Sequence, residues 1–211
     1  MKYILITSVG KDMDPIFLGL KEFSVEKVIL LSTRSNADDA NRIKEDLEKF
    51  KINVTITFLE GNVWEEIFRV ISEFKKIYET QELIINVATG DKEIRCAITS
   101  AAFVNGLKAY TIQNDAPLML PILRFSYYRI LTDRKMQILR LLYETPGEEL
   151  NLENISKETK MSLPLISYHI NGNLKSEGLK ELGLVTSKEE KGRSHIILSN
   201  LGKLLVKGYV K

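Results

Sequence analysis

The chain has 211 residues, 44% of them hydrophobic and 27% charged, with a net charge of +2, which describes one large or two small globular domains rather than a disordered polymer or a polycation. Its single cysteine, Cys96, excludes an internal disulfide framework and a Cys-rich zinc site. No apolar run reaches the length of a membrane span, and the first strand begins almost at Met1, so no membrane partner, no signal peptide and a cytoplasmic location are expected.

Over the first 125 residues, short apolar runs alternate with helical patterns. Tyr3–Ile6, Lys27–Leu31, Asn53–Leu59, Leu83–Val87 and Lys108–Ile112 read as strands buried on both faces. Asp14–Phe23, Ala37–Phe50, Val63–Tyr78 and Lys92–Asn105 read as the helices between them. In the third, Trp64, Ile67, Phe68, Ile71, Phe74 and Ile77 recur at helical spacing and give one apolar face. Such alternation implies right-handed crossovers and an α/β fold with a Rossmann-like, doubly wound, mostly parallel sheet. A last apolar run, Met119–Phe125, is expected as an added strand or a linker.

From Thr132 the pattern changes, and residues 126–211 read as a linker followed by a winged helix-turn-helix. Thr132 caps a helix with apolar Met136, Leu139, Leu142 and Tyr143, and Pro146-Gly147 ends it. Leu152–Thr159 is a second helix, and Lys160-Met161-Ser162 a tight turn. A third helix runs from Ser162 to about Glu177, a hairpin of Leu184–Ser187 and Ser194–Leu198 forms the wing, and Ser199 or Asn200 caps a closing helix.

In the third helix Leu163, Ile166, Ile170 and Leu174 fall on one side. Pro164, Leu165, Tyr168, Asn171 and Lys175 face away, with Ser167 at the edge and Ser162 at the start, the layout of a helix that enters the major groove of double-stranded DNA. Lys188, Lys191 and Arg193 on the wing would meet phosphate. From Thr132 on there are 13 Lys and Arg against 10 Asp and Glu, and before it 17 against 18, a mild bias that permits such contact. Read instead as a protein-contact module, the same domain would leave this face unused. His169 and His195 lack the carboxylate or thiol neighbours of a metal site.

Ligands of open parallel sheets bind beyond the carboxyl ends of strands where chain order reverses. With the strand order 3-2-1-4-5, Thr7-Ser8-Val9-Gly10 and Asn86-Val87-Ala88-Thr89-Gly90-Asp91-Lys92 lie side by side across that point. Hydroxyls, glycine-permitted backbone approach, a helix N-terminus and the Lys92 charge together suit an anion such as phosphate. No G-x-G-x-x-G follows the first strand and no Gly-Lys-Ser/Thr occurs, which excludes a dinucleotide fingerprint and a P-loop. The second strand ends at Arg34 rather than an acidic residue. A dehydrogenase is therefore disfavoured, and Arg34 is available to a phosphate.

A short Rossmann-like domain whose fourth strand leads into Asn86-x-x-Thr89-Gly90-x-Lys92, preceded by the Thr7–Gly10 loop and fused to a winged helix, resembles the CRISPR-associated Rossmann-fold (CARF) regulators. It is most similar to the archaeal Csa-type members with a helix-turn-helix. Asp91 departs from the pattern, which often has Gly or Thr there. The resemblance implies a homodimer whose paired domains bind one cyclic oligoadenylate, cyclic tetra-adenylate above all, through Thr7, Ser8, Val9, Gly10, Arg34, Asn86, Ala88, Thr89, Gly90, Asp91 and Lys92. It implies no cofactor and a role in transcription of CRISPR-associated genes. The alternative is a slow, metal-independent ring nuclease in which Ser8 and Lys92 hold the ring for in-line attack by a ribose hydroxyl.

Overall fold

A computed structural model describes residues 2–121, 130–146, 150–173, 176–190 and 193–208, in two units divided between Tyr127 and Tyr128. The connection at residues 122–128, Gly147, Leu174, Lys175 and Lys191 lie outside the described residues, and Arg193 is described by its backbone only.

The first unit runs β1 (Tyr3–Ser8), α1 (Asp14–Glu22), β2 (Val25–Thr33), a 3-10 turn (Arg34–Asn36), α2 (Ala37–Lys49), β3 (Asn53–Leu59), α3 (Val63–Ile77), β4 (Glu82–Asn86), α4 (Lys92–Asn105), β5 (Lys108–Gln113) and β6 (Ala116–Met119). The sheet order is β3-β2-β1-β4-β5-β6. All neighbours pair in parallel except β5 and β6, which form an antiparallel hairpin. The sheet is thus mostly parallel, as the alternation of strands and helices requires.

Alternate residues of each strand supply the two faces. Leu5, Val9, Val28, Leu30, Val54, Ile84 and Tyr110 form one core with Ile16, Ala40, Ile43 and Leu47 of α1 and α2. The intervening Ile4, Ile6, Ile29, Leu31 and Ile85 are equally buried and so face the other layer, where α3 and α4 pack on each other. Central strands with no solvent face explain the uninterrupted apolar runs.

The added strand differs from the expectation. It comes at Ala116–Met119, before most of the apolar run, and is reached through Asn114 (φ 51) and Asp115 (φ 56). Two left-handed residues make the tight turn whose twist matches a two-stranded ribbon. Registry Gln113↔Ala116, Ile112↔Pro117, Thr111↔Leu118 follows from it.

One packing detail constrains the α1 layer. Tyr110 is fully buried, its hydroxyl donates to the Pro15 carbonyl at 3.4 Å, and burial holds its pKa well above the ordinary tyrosine range. The ring lies against Gly19 so closely that a Cβ there would overlap the hydroxyl.

The second unit contains α5 (Asp133–Glu144), β7 (Leu150–Asn151), α6 (Leu152–Thr159), α7 (Leu163–Asn171), β8 (Gly172–Asn173), β9 (Ser176–Glu177), β10 (Val185–Glu190), β11 (Arg193–Leu198) and α8 (Asn200–Lys207). Thr132 and Ser199 cap α5 and α8 through their hydroxyls. β10 and β11 form a hairpin, and β11 also pairs with the two-residue β7 through His195↔Asn151 and Ile196↔Leu150.

Three expectations are corrected here. The third helix stops at Asn171 rather than near Glu177, because Gly172 takes φ 77 and the chain turns into the β8–β9 ladder. Its buried side is Ile166, His169 and Ile170, whereas Leu163 is 44% exposed. The hairpin strands extend through residues 188–190 and 193, which sequence alone suggested as loop.

His169 is 5% exposed, and neither ring nitrogen has a hydrogen-bond partner among the described residues. Burial lowers its proton affinity, and the Lys135 and Arg134 charges lower it further. Lys135 is itself buried and donates from Nζ to the Glu177 carbonyl at 2.6 Å.

Two outcomes follow from these contacts. A helical Gly→Ala change ordinarily stabilises by about 1 kcal/mol, but Gly19→Ala is expected to destabilise by about 1–3 kcal/mol through overpacking. Adding Tyr110→Phe, which removes the clashing oxygen, should restore part of that loss in chemical denaturation. For His169, both folded and unfolded states are neutral well above about pH 6.5. Below that value the unfolded chain takes a proton that the folded state resists, so stability falls as pH drops. In His169→Leu the corresponding slope between pH 7 and 5 should be smaller, as read from paired denaturation curves.

Candidate functional site

The carboxyl ends of β1 and β4 meet at the point where the order changes from β2-β1 to β4-β5. Parallel pairing sets Thr7 opposite Asn86. Both are completely buried, as is Ser8, and Thr89 is 2% exposed.

These four residues form a single hydrogen-bonded chain. Asn86 Nδ2 donates to Thr7 Oγ1 at 3.2 Å. Thr7 Oγ1 and Thr89 Oγ1 are 2.8 Å apart, and Thr89 Oγ1 and Ser8 Oγ 3.3 Å. Ser8 Oγ then donates to the Thr89 carbonyl at 2.6 Å. One direction of donation, from Asn86 to Thr7 to Thr89 to Ser8 to the carbonyl, gives every hydroxyl proton an acceptor, as buried polar groups need. Asn86 Oδ1 also accepts from Ala88 N at 2.9 Å and bends the chain as it leaves β4.

The backbones close over this chain. A Cβ on Gly10 would lie 2.6 Å from Gly90 N, and one on Gly90, whose φ is 90, would lie 2.5 Å from Ser8 Oγ. Glycine is required at both for steric reasons, and at Gly90 for conformational ones as well.

The sequence-derived ligand residues therefore divide. Thr7, Ser8, Val9, Asn86 and Thr89 are buried and hold the crevice together from beneath. Gly10, Ala88 and Gly90 are half-buried, and Asp91 and Lys92 are exposed, so these five make its surface. Lys11, exposed beside Gly10, joins them and was not singled out by sequence.

Arg34 follows β2, the strand next to β1. Its guanidinium pairs with Glu60 at 2.8 Å and lies 4.6 Å from the Phe58 ring centroid, at the ends of β2 and β3.

Asp91 has a definite task. Its carboxylate caps α4 by accepting from Ile94 N at 2.9 Å, so one amide of that helix start already has an anionic partner. A phosphate approaching there meets the Asp91 charge, and the attraction at the rim comes from Lys92 and Lys11. The cap is legible in sequence as an acidic residue directly before the helix pattern.

In the second unit α7 presents an outward face. Tyr168 is 36% exposed, and Ser162, Pro164 and Asn171 are exposed, while Leu165 and Ser167 are half-buried. Ser162 makes no capping bond to the helix, and Asn171 Nδ2 donates to Ser167 Oγ at 3.1 Å one turn away. Lys188 is exposed on β10, opposite His195. No cluster of His, Cys, Asp and Glu fit to hold a metal occurs among the described residues, and none of their helices is long and apolar enough to cross a membrane.

The charge at the α4 start is separable from the cap. Asp91→Asn keeps a good capping group and removes the carboxylate, whereas Asp91→Ala loses about 1 kcal/mol of helix stability. In fluorescence titrations with an anionic oligonucleotide ligand, Asp91→Asn is expected to bind more tightly than the parent at low salt. The advantage should shrink as ionic strength rises.

Residues 3–116 match the family model described as HFX_2341_N:-like, N-terminal. No curated protein matches the chain. Among solved structures, Can2 from Sulfobacillus thermosulfidooxidans in complex with cyclic tetra-adenylate superposes with a TM-score of 0.48 at 12% identity, over 97% of this chain and 63% of that one. Enterococcus italicus Csm6 bound to cyclic hexa-2'-fluoro-hexa-dAMP gives 0.49 at 14% identity, over 79% and 55%. MepR, a transcription regulator of the Staphylococcus aureus multidrug efflux pump MepA, gives 0.31 at 23% identity, over 36% and 53%. The chain thus spans between about half and two thirds of the length of these structures, and the likeness is one of loose outline.

Proposed function

The chain belongs to the HFX_2341_N:-like, N-terminal family, and from that premise we propose that it is a ligand-responsive, DNA-binding transcription regulator of CRISPR-associated genes. Its first unit would act as a CARF-type sensor of a cyclic oligoadenylate, with cyclic tetra-adenylate the ligand of choice. The second unit would act as a winged helix-turn-helix that reads double-stranded DNA. The observation that carries the reading is the locked β1–β4 junction, where Gly10 and Gly90 expose backbone at the switch point of a parallel sheet between Lys11 and Lys92. That is where open α/β sheets take nucleotide ligands.

A homodimer follows from the chemistry of such a ligand. A two-fold ring suits a two-fold crevice in which each protomer meets half of it. Pairing would also bring two copies of the second unit to one DNA site. One copy has little excess positive charge and an acidic Glu189 beside the exposed Lys188 on β10, so affinity would depend on the spacing of two α7 helices. Ligand that alters this spacing alters DNA affinity, and DNA must alter ligand affinity by the same factor.

In the alternative reading, a slow ring nuclease, Ser8 and Lys92 would hold the ring; Ser8 is buried and donates to the Thr89 carbonyl, and Lys92 is exposed.

Gel-shift titration on DNA from upstream of its own gene, with and without cyclic tetra-adenylate, tests the reading. A sequence-selective shift whose midpoint moves with ligand is expected, and the absence of a selective shift under either condition refutes it. Tyr168→Ala and Asn171→Ala should each cost about 1–3 kcal/mol on the specific site alone. Lys188→Ala should weaken all sequences alike and reduce the salt slope by about 1.

A further inference from the structure

Leu163 is a large apolar side chain at the first position of α7 and is 44% exposed, although Ile166 and Ile170 of the same helix are fully buried. Residues four apart stack into rows along a helix. Leu163 heads a row that continues through Ser167 to Asn171, and the bond from Asn171 Nδ2 to Ser167 Oγ at 3.1 Å runs along it. Pro164 and Tyr168, both exposed, form the row beside it. The whole helix holds no Arg, Lys, Asp or Glu.

We infer that Leu163 is a specificity-determining residue that packs on the C5-methyl group of thymine, so that α7 selects A·T-rich sites. The inference rests on the DNA-binding reading of the second unit. Of the four bases only thymine presents a methyl group in the major groove. Readout of guanine draws chiefly on bidentate Arg or Lys, and that of cytosine on Asp or Glu, all of which α7 lacks. What it offers fits the A·T pair: an apolar end for the methyl, and an amide for the N6 and N7 edge of adenine. Ser167 holds that amide by one N–H of Asn171 Nδ2, and the second N–H is the donor for N7.

The place of Leu163 along the helix agrees with this role. The first turn of a recognition helix is the part that reaches base edges, and Leu163 is its first residue. Cations stand around the face rather than on it: Lys160, in the turn that leads into α7, and Lys188 on β10 are exposed. An uncharged row flanked by lysines matches a groove floor flanked by phosphates. Nearly half of Leu163 is thus left for a partner to cover.

The test begins with selection of bound duplexes from a random pool by the full chain, with and without cyclic tetra-adenylate. Enrichment of A·T-rich half-sites is expected. In the selected duplex each thymidine is then replaced in turn by deoxyuridine, which lacks only the methyl group, and affinity is read by fluorescence anisotropy. At one position of each half-site the loss should be about three- to fivefold, the worth of one buried methyl. In Leu163→Ala, whose circular dichroism should match that of the parent, thymidine and deoxyuridine should bind alike at that position. G·C-rich selected sites, equal wild-type affinities for both nucleosides at every position, or a difference that persists in Leu163→Ala overturn the inference and leave DNA reading intact. A pool that emerges unenriched overturns both.

Discussion

Four buried polar side chains hold the candidate site in shape. Asn86, Thr7, Thr89 and Ser8 carry hydroxyl and amide groups into a place without water, where each must find a partner inside the protein. They find one another, and in doing so they tie the end of β1 to the loop after β4. The Gly10–Gly90 approach, the direction in which α4 starts and the position of Asp91 and Lys92 all follow from that tie. Replacing any one member by an apolar side chain would strand the others, which makes the chain a specification of geometry more than a source of net stability.

Much of the first unit was legible because its physics is strongly periodic. Asn53–Leu59 and Lys92–Asn105 have the bounds that their patterns suggest, and the other strands and helices shift by a few residues at their ends. The added strand is expected too late in the chain, at Met119–Phe125, because β6 is short and partly exposed and a more apolar run follows it, although Asn114-Asp115 is itself a turn signal. The site was legible as a place and less so as a surface. Hydroxyls at strand ends read as groups for a ligand, yet Thr7 and Ser8 both turn to Thr89 and are fully buried, so neither reaches solvent. The ligand-facing part falls to glycine backbone and to charges just beyond the strands.

In the second unit a small shift of helical phase separates sequence from structure. Apolar spacing favours Leu163, Ile166 and Ile170 as the inner face of α7, but the helix is rotated so that His169 turns inward and Leu163 outward. A histidine is amphipathic enough to sit on either side, and pattern alone does not rank it against a leucine. The early stop at Gly172 has a steric origin visible only in three dimensions. Side chains at Gly172 or Gly178 would run into each other's backbone, so the two glycines meet where the helix hands over to the β8–β9 ladder. β7 is only two residues long and has no periodicity to detect.

The hairpin that completes the sheet also determines how the sheet ends. Leu120 N donates to the Ala109 carbonyl, so along β6 the even-numbered amides point at β5 and Pro117 sits in the alternate row, facing outward. That outer row has a gap where an amide hydrogen would be. A strand from another molecule, drawn to the exposed Leu118 and Met119, would meet an edge unable to complete its ladder. Proline at this position protects a highly apolar parallel sheet from growing by edge-to-edge aggregation.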